Sequence, residues 1–142
     1  MCSSDLEGDI PSALSWLRRA DVRRVDVMNT LGSVLADAGQ HAEAIQVLRR
    51  ALKLEPRFAA ASNNLGSILH GLGQMEEAEQ CFRRALAANP QHVEAHYNLG
   101  LVLAERQRFD DAEASYRTAL HHNPLHPAAN NNLSLLLLEE WR

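Results

Sequence analysis

The side chains with the greatest capacity for chemistry are seven histidines, two cysteines and a scatter of serines and carboxylates. His92 and His96 stand four residues apart, and His121, His122 and His126 form a second group. Residues four apart share one face of a helix, so such pairs can chelate a metal. A structural zinc site, however, needs about four closely placed ligands, and no cysteine or carboxylate set completes either group. No metal ligands are expected. Serine, histidine and aspartate all occur, but no serine sits in a nucleophile string such as Gly-x-Ser-x-Gly. Cys81 lies on a helix beside Phe82, where a buried structural thiol is expected rather than a reactive one. Phosphate-binding loops and dinucleotide fingerprints are missing as well. Catalytic residues and cofactors are therefore expected to be none, and the chain by itself is not expected to be an enzyme.

Two other sets of polar residues are more regular. Asn64, Asn98 and Asn132 recur every 34 residues. A carboxamide both donates and accepts, so a row of them can pair with a peptide backbone whatever its side chains are. Arg18-Arg19, Arg49-Arg50 and Arg83-Arg84, with Arg117, make a second series. These arginines are expected to be solvated and partly paired with acids such as Glu79 and Asp111. Lys53 is the one lysine, a skew that suits a GC-rich coding bias, and the net charge of −4 gives no reason to expect nucleic acid as a partner.

Such rows need a scaffold that repeats. Gly32, Gly66 and Gly100 are spaced by 34 residues, and so are Pro56, Pro90 and Pro124. Ala44, Ala78 and Ala112 keep the interval, as do Ala51, Ala85 and Ala119, while one position holds Leu48, Phe82 and Tyr116. Within a period the apolar residues follow helical spacing. Ala61, Leu65, Ile68, Leu69 and Leu72 make one stripe, and Met75, Ala78, Phe82, Ala85 and Leu86 make the next. Gly39 and Gly73 fall where the first helix of a pair must stop and the chain reverse. The prolines punctuate the end of the second helix. Each period is thus a helix–turn–helix with small residues where the helices approach.

A 34-residue helix–turn–helix unit with Leu-Gly early, paired alanines late and a terminal proline resembles the tetratricopeptide repeat. The fold class expected is all-α, a right-handed alpha-alpha solenoid of such repeats. Complete units are read at 25–58, 59–92 and 93–126, with a partial repeat (a first helix) at 127–142. A partial repeat (a second helix) is read at 8–24, where Leu17-Arg18-Arg19-Ala20 matches Leu48-Arg49-Arg50-Ala51 at an interval of 31 instead of 34. Residues 1–7 are read as disordered or artefactual, since Met1-Cys2-Ser3-Ser4-Asp5-Leu6 matches the translated end of a short-read sequencing adapter. A fragment of a bacterial, metagenomic gene for a longer array is the corresponding expectation. Arrays usually end in polar caps, whereas the last helix carries Leu133, Leu135, Leu136, Leu137, Leu138 and Trp141. That leaves self-association through this uncapped helix as an option. Gln107 stands where the other units have a turn glycine, at a cost on the order of 1 kcal/mol if the backbone there is left-handed.

The resemblance further implies that the first helix of each unit lines a concave groove. The residues so placed are Asp26, Asn29 and Ser33; Ala60, Asn63, Asn64 and Ser67; Glu94, Tyr97, Asn98 and Leu101; and Asn131, Asn132 and Leu135. In some members of the family, similar asparagine ladders hold extended peptides. Asp37, Glu105 and Glu139 add to the acidic side of the groove, and no Lys or Arg takes a matching position. Members that clamp the acidic carboxyl terminus of chaperones use Lys and Arg on this surface. A neutral to basic peptide is therefore the better expectation here. The function expected is a protein–protein interaction scaffold holding an extended peptide or partner helix. The alternative is the substrate-recruiting arm of a larger enzyme such as a glycosyltransferase or sulfotransferase. Two cysteines cannot build a disulfide framework, residues 1–9 lack the apolar run of a signal peptide, and Leu133–Leu138 is too short to span a bilayer. The expected place is the cytoplasm, without membrane contact.

Overall fold

A computed structural model describes residues 24–140. The partial repeat expected at 8–24 lies outside the described residues except for Arg24, and the reading of residues 1–7 and of Trp141 lies wholly outside them. Among the described residues the structure is seven helices with no strand. They are α1 (Val25–Asp37), α2 (His41–Leu54), α3 (Ala59–Gly71), α4 (Met75–Ala88), α5 (Val93–Glu105), α6 (Phe109–His122) and α7 (Pro127–Glu140). The fold is the all-α helical-repeat solenoid that the periodicity implies. It divides into two compact units, one ending at Pro56 and one starting at Arg57.

In the first unit α1 packs on α2. Met28, Leu31 and Leu35 of α1 are buried against Ala44, Leu48 and Ala51 of α2. The chain reverses at Ala38-Gly39-Gln40, where Gly39 has φ 82°. The Gly39 amide donates to the Ala36 carbonyl at 3.0 Å, and the Gln40 amide to Leu35 at 2.8 Å. This is the paired bonding that ends a helix when the residue after its cap turns left-handed.

The second unit stacks α3 on α4, α4 on α5, α5 on α6 and α6 on α7. The turn geometry of the first unit returns twice. Gly73 has φ 82° and Gln107 φ 62°, and Gln74 and Arg108 donate back to Leu69 and Leu103 at 2.9 and 2.8 Å. Gln107 therefore takes the left-handed backbone that a glycine would adopt without steric cost. The alanines of the period, Ala78, Ala85, Ala112 and Ala119, have no exposed surface. Each early glycine lies under the large residue of the second helix. A methyl group added to Gly66 would come within 2.6 Å of Phe82 Cε1, and one on Gly100 within 2.6 Å of Tyr116 Cε1. The space these glycines leave is filled by a ring. Leu72, expected in the apolar stripe of α3, is instead 45% exposed, because it caps that helix and lies past its last packed turn. On α7, Leu133 and Leu136 are buried whereas Leu135 and Leu138 face solvent.

Candidate functional site

The first helices of the second unit, α3, α5 and α7, carry the asparagines. They do not stand as independent rungs. Asn98 Nδ2 donates to Asn63 Oδ1 at 3.0 Å and to Ser67 Oγ at 3.4 Å. One period later, Asn132 Nδ2 donates to the Tyr97 hydroxyl at 3.1 Å. Each link runs from one first helix to the preceding one, and Asn98–Asn63 and Asn132–Tyr97 both join positions 35 residues apart. Asn63 is buried and Asn64, Asn98, Asn132 and Tyr97 are half-buried, so these amides tie layers together as well as lining a surface. With its amide hydrogens committed, Asn98 keeps Oδ1 as its acceptor. Asn131 is exposed on α7.

Tyr97 is held from several sides. Its ring centroid lies 5.0 Å from His126 and 6.1 Å from Tyr116. Burial pushes the Tyr116 hydroxyl up to about 12, with Tyr97 and the charge of Glu105 adding to the effect and a hydrogen bond with Asn132 opposing it. At neutral pH both hydroxyl and amide are uncharged, and the cluster is a fixed polar seam between α5, α6 and α7.

The histidines have structural roles that the residue types alone did not show. His92 Nδ1 accepts from the Ala95 amide at 3.1 Å and caps α5. His126 Nδ1 accepts from Ala129 at 3.1 Å at the start of α7, and its Nε2 donates to Glu94 Oε1 at 2.8 Å. Accepting at Nδ1 places the proton of a neutral ring on Nε2, where it can reach that carboxylate. Just upstream, Asn89 and Asn123 accept from the backbone amides two residues on, at 3.1 and 3.3 Å. The strings Asn89-Pro90-Gln91-His92 and Asn123-Pro124-Leu125-His126 thus form two like connections, a signal present in the sequence but not read there as a cap. Burial, resisted by the charge of Glu94 and aided by His96, lowers the proton affinity of His92. His96 itself donates to the Pro90 carbonyl at 2.7 Å. Among the described residues no group of three His, Cys, Asp or Glu side chains is arranged to hold a metal.

Charge is segregated by helix. The segments Val25–Asp37, Ala59–Gly71, Val93–Glu105 and Pro127–Glu140 contain no Lys or Arg. The second helices carry Arg49, Arg50, Lys53, Arg83, Arg84 and Arg117. Several of these bases are paired. Glu79 receives Arg83 at 3.0 Å, Arg106 at 3.1 Å and Arg108 at 3.2 Å, while Arg108 also meets Asp111 at 3.0 Å and Arg117 meets Glu113 at 3.0 Å. Burial alone would raise the Glu79 carboxyl, but the bond and charge of Arg83 and the charges of Arg108 and Arg106 hold it below its ordinary value.

Of the residues that the family resemblance assigned to one groove, the second unit brings Asn63, Asn98 and Ser67 together, and separately Tyr97 and Asn132. Asn64 is on the same helix as Asn63. Glu94 is exposed but bonded to His126. Asp26, Asn29 and Asp37 belong to α1 of the first unit. Asp26 is solvent-facing and bonded to Arg24 at 3.3 Å, an interaction that lowers its proton affinity. Asp37 is exposed at the end of α1. No helix among the described residues is long and apolar enough to cross a membrane.

Comparison with known proteins agrees with this architecture. The family described as tetratricopeptide repeat matches residues 29–92, 71–120 and 97–140. No protein of curated function matches the chain. Among solved structures, the crystal structure of MamA is 27% identical with a TM-score of 0.86, covering 97% of this chain and 80% of that one. The first repeat domain of Spaghetti (RPAP3), bound to the HSP90 peptide SRMEEVD, is 21% identical with a TM-score of 0.82, over 86% of this chain and 97% of that one. YrrB, described as having an unusual peptide-binding site, is 28% identical with a TM-score of 0.69, over 76% of this chain and 56% of that one.

Proposed function

Because the chain belongs to the tetratricopeptide repeat family, we propose that it is a protein-interaction module whose first helices hold an extended peptide or a partner helix, with neutral to basic sequences preferred. The observation that carries the reading is the make-up of α3, α5 and α7. They combine a run of asparagines with Glu94, Glu105 and Glu139 and contain no Lys or Arg. Asn98 donates to Asn63 and Ser67 and Asn132 to Tyr97 within the protein, which weights the remaining surface towards acceptors. Acceptors suit backbone N–H groups and cationic side chains. On α1, Asp26, Asn29 and Asp37 offer the same chemistry within the first unit.

The peptide-binding description of YrrB, at 28% identity, supports a peptide as the occupant. The RPAP3 domain shares the fold, and the HSP90 peptide bound to it carries two adjacent glutamates and an aspartate. An acidic ligand of that kind is best received by Lys or Arg, and α3, α5 and α7 carry neither. A different charge class of peptide is therefore the better match.

Selection of random twelve-residue peptides displayed on phage against the purified chain tests the proposal. Enriched peptides should be neutral or basic, and Asn131→Arg, an exposed substitution on α7, should weaken them about tenfold, the loss of roughly one charge-assisted contact. Unchanged affinity in a variant with an unaltered thermal melt, or enrichment of acidic peptides, would count against it.

A further inference from the structure

A cavity of about 250 Å³ opens between α5, α6 and α7. Its apolar walls are Leu101 of α5, Phe109 of α6 and Leu135 and Leu136 of α7. Phe109 is 38% and Leu135 59% exposed, so two large apolar side chains lie open to a ligand on the walls of the space. Glu105 and Glu139, in the last turns of α5 and α7, also line it, and both are exposed. None of the lining residues is Lys, Arg or His. Small-molecule sites usually enclose about 300–1,000 Å³, so this space suits one extended side chain better than a cofactor.

Two features select which side chain. The walls favour a run of methylene groups, since burying them removes apolar surface from water. The mouth favours a cation, because two carboxylates there join the negative ends of two helices. Lys and Arg have this profile, an apolar stem that lies along hydrophobic surface and a charged head that stays near water. The basic side chains nearby are already engaged. Arg106, just past α5, is bonded to Glu79 at 3.1 Å. His70 meets Glu105 Oε2 at 2.8 Å, which leaves the other oxygen of that carboxylate.

We infer that this cavity receives one Lys or Arg side chain of a bound peptide, with its stem between Phe109 and Leu135 and its head at Glu105 and Glu139. The inference rests on the peptide-binding reading of the first helices and adds a place where one residue of the peptide is selected.

The test is a titration of the ¹⁵N-labelled full chain, followed by NMR, with four peptides, acetyl-Gly-Ser-Xaa-Ser-Gly-amide with Xaa as Lys, Arg, norleucine or Glu. Lys and Arg peptides should shift the amides of Leu101, Glu105, Phe109, Leu135 and Glu139. Norleucine should bind more weakly by up to about fivefold, the upper end for one solvent-exposed ion pair. The Glu peptide should leave these amides in place. Glu139→Gln should remove the preference for Lys over norleucine, whereas Glu76→Gln on α4 should not. Equal binding of norleucine and Lys, or no cavity shifts with either cation, overturns the inference. If display-selected peptides still shift the Asn63–Asn98 region, the broader reading stands without it. If they shift nothing on α3, α5 or α7, both fall.

Discussion

His92 shows how a residue that invites a chemical reading can serve the backbone instead. Its ring nitrogen satisfies one of the amides that every helix leaves unpaired at its start. His92→Ala should lower stability by about 1 kcal/mol, as loss of a good cap does, measurable as a shift in urea midpoint. His92→Asn should retain most of it, since asparagine caps by the same acceptor logic. The pH response has a definite sign. Folding lowers the proton affinity of His92, so the unfolded chain takes up the proton first. Its contribution is complete above the unfolded value of about pH 6.5 and is lost as pH falls below that through the lower folded value. The Asn variant should therefore show a shallower fall in melting temperature between neutral and mildly acid pH than the native chain. An equal or steeper fall contradicts the assignment. From sequence, the repeat position of His92 and His126 was legible, but the cap was not, because histidine is not among the usual capping residues. The preceding Asn-Pro pair was the available hint.

At the scale of the helix pair, one contact sets the spacing. Gly66 beneath Phe82 and Gly100 beneath Tyr116 leave no room for even a methyl group without displacing a ring. Gly66→Ala should cost about 1–3 kcal/mol, the usual range for overfilling a packed core. In a Phe82→Ala background, which removes the ring atoms that the added methyl would meet, the same substitution should cost less. A double-variant cycle with no coupling would show that the two residues do not share the space. Gln107→Gly should gain about 1 kcal/mol by relieving a left-handed side-chain-bearing residue, seen as a higher melting temperature. Much of this level was legible. The period of 34 gave the helices, the turns and the fully buried alanines, because identical residues at one interval report identical packing. What periodicity could not give was the end of a packed stripe, so Leu72 was placed inside although it lies beyond the last turn. Nor could it show that Asn98 and Asn132 donate between layers, since that depends on how far one helix stands from the next.

For the molecule as a whole, the organising feature is the sorting of charge. Among the described residues, Lys and Arg are confined to second helices and the segments flanking the helices, while the first helices carry amides and carboxylates. A surface of acceptors and carboxylates attracts basic chains, and the attraction should weaken with salt because exposed charges are screened within about 10 Å at 0.1 M. A selected basic peptide should therefore bind more weakly at high than at low ionic strength, whereas a neutral one should change little. The central claim is that α3, α5 and α7 form the receiving face. It is tested most directly by NMR mapping of the ¹⁵N-labelled chain with a display-selected twelve-residue peptide. Shifts concentrated on Asn64, Tyr97, Asn98, Asn131 and their neighbours are the predicted result, and shifts concentrated on Arg83, Arg84 and Arg117 of α4 and α6 would contradict it.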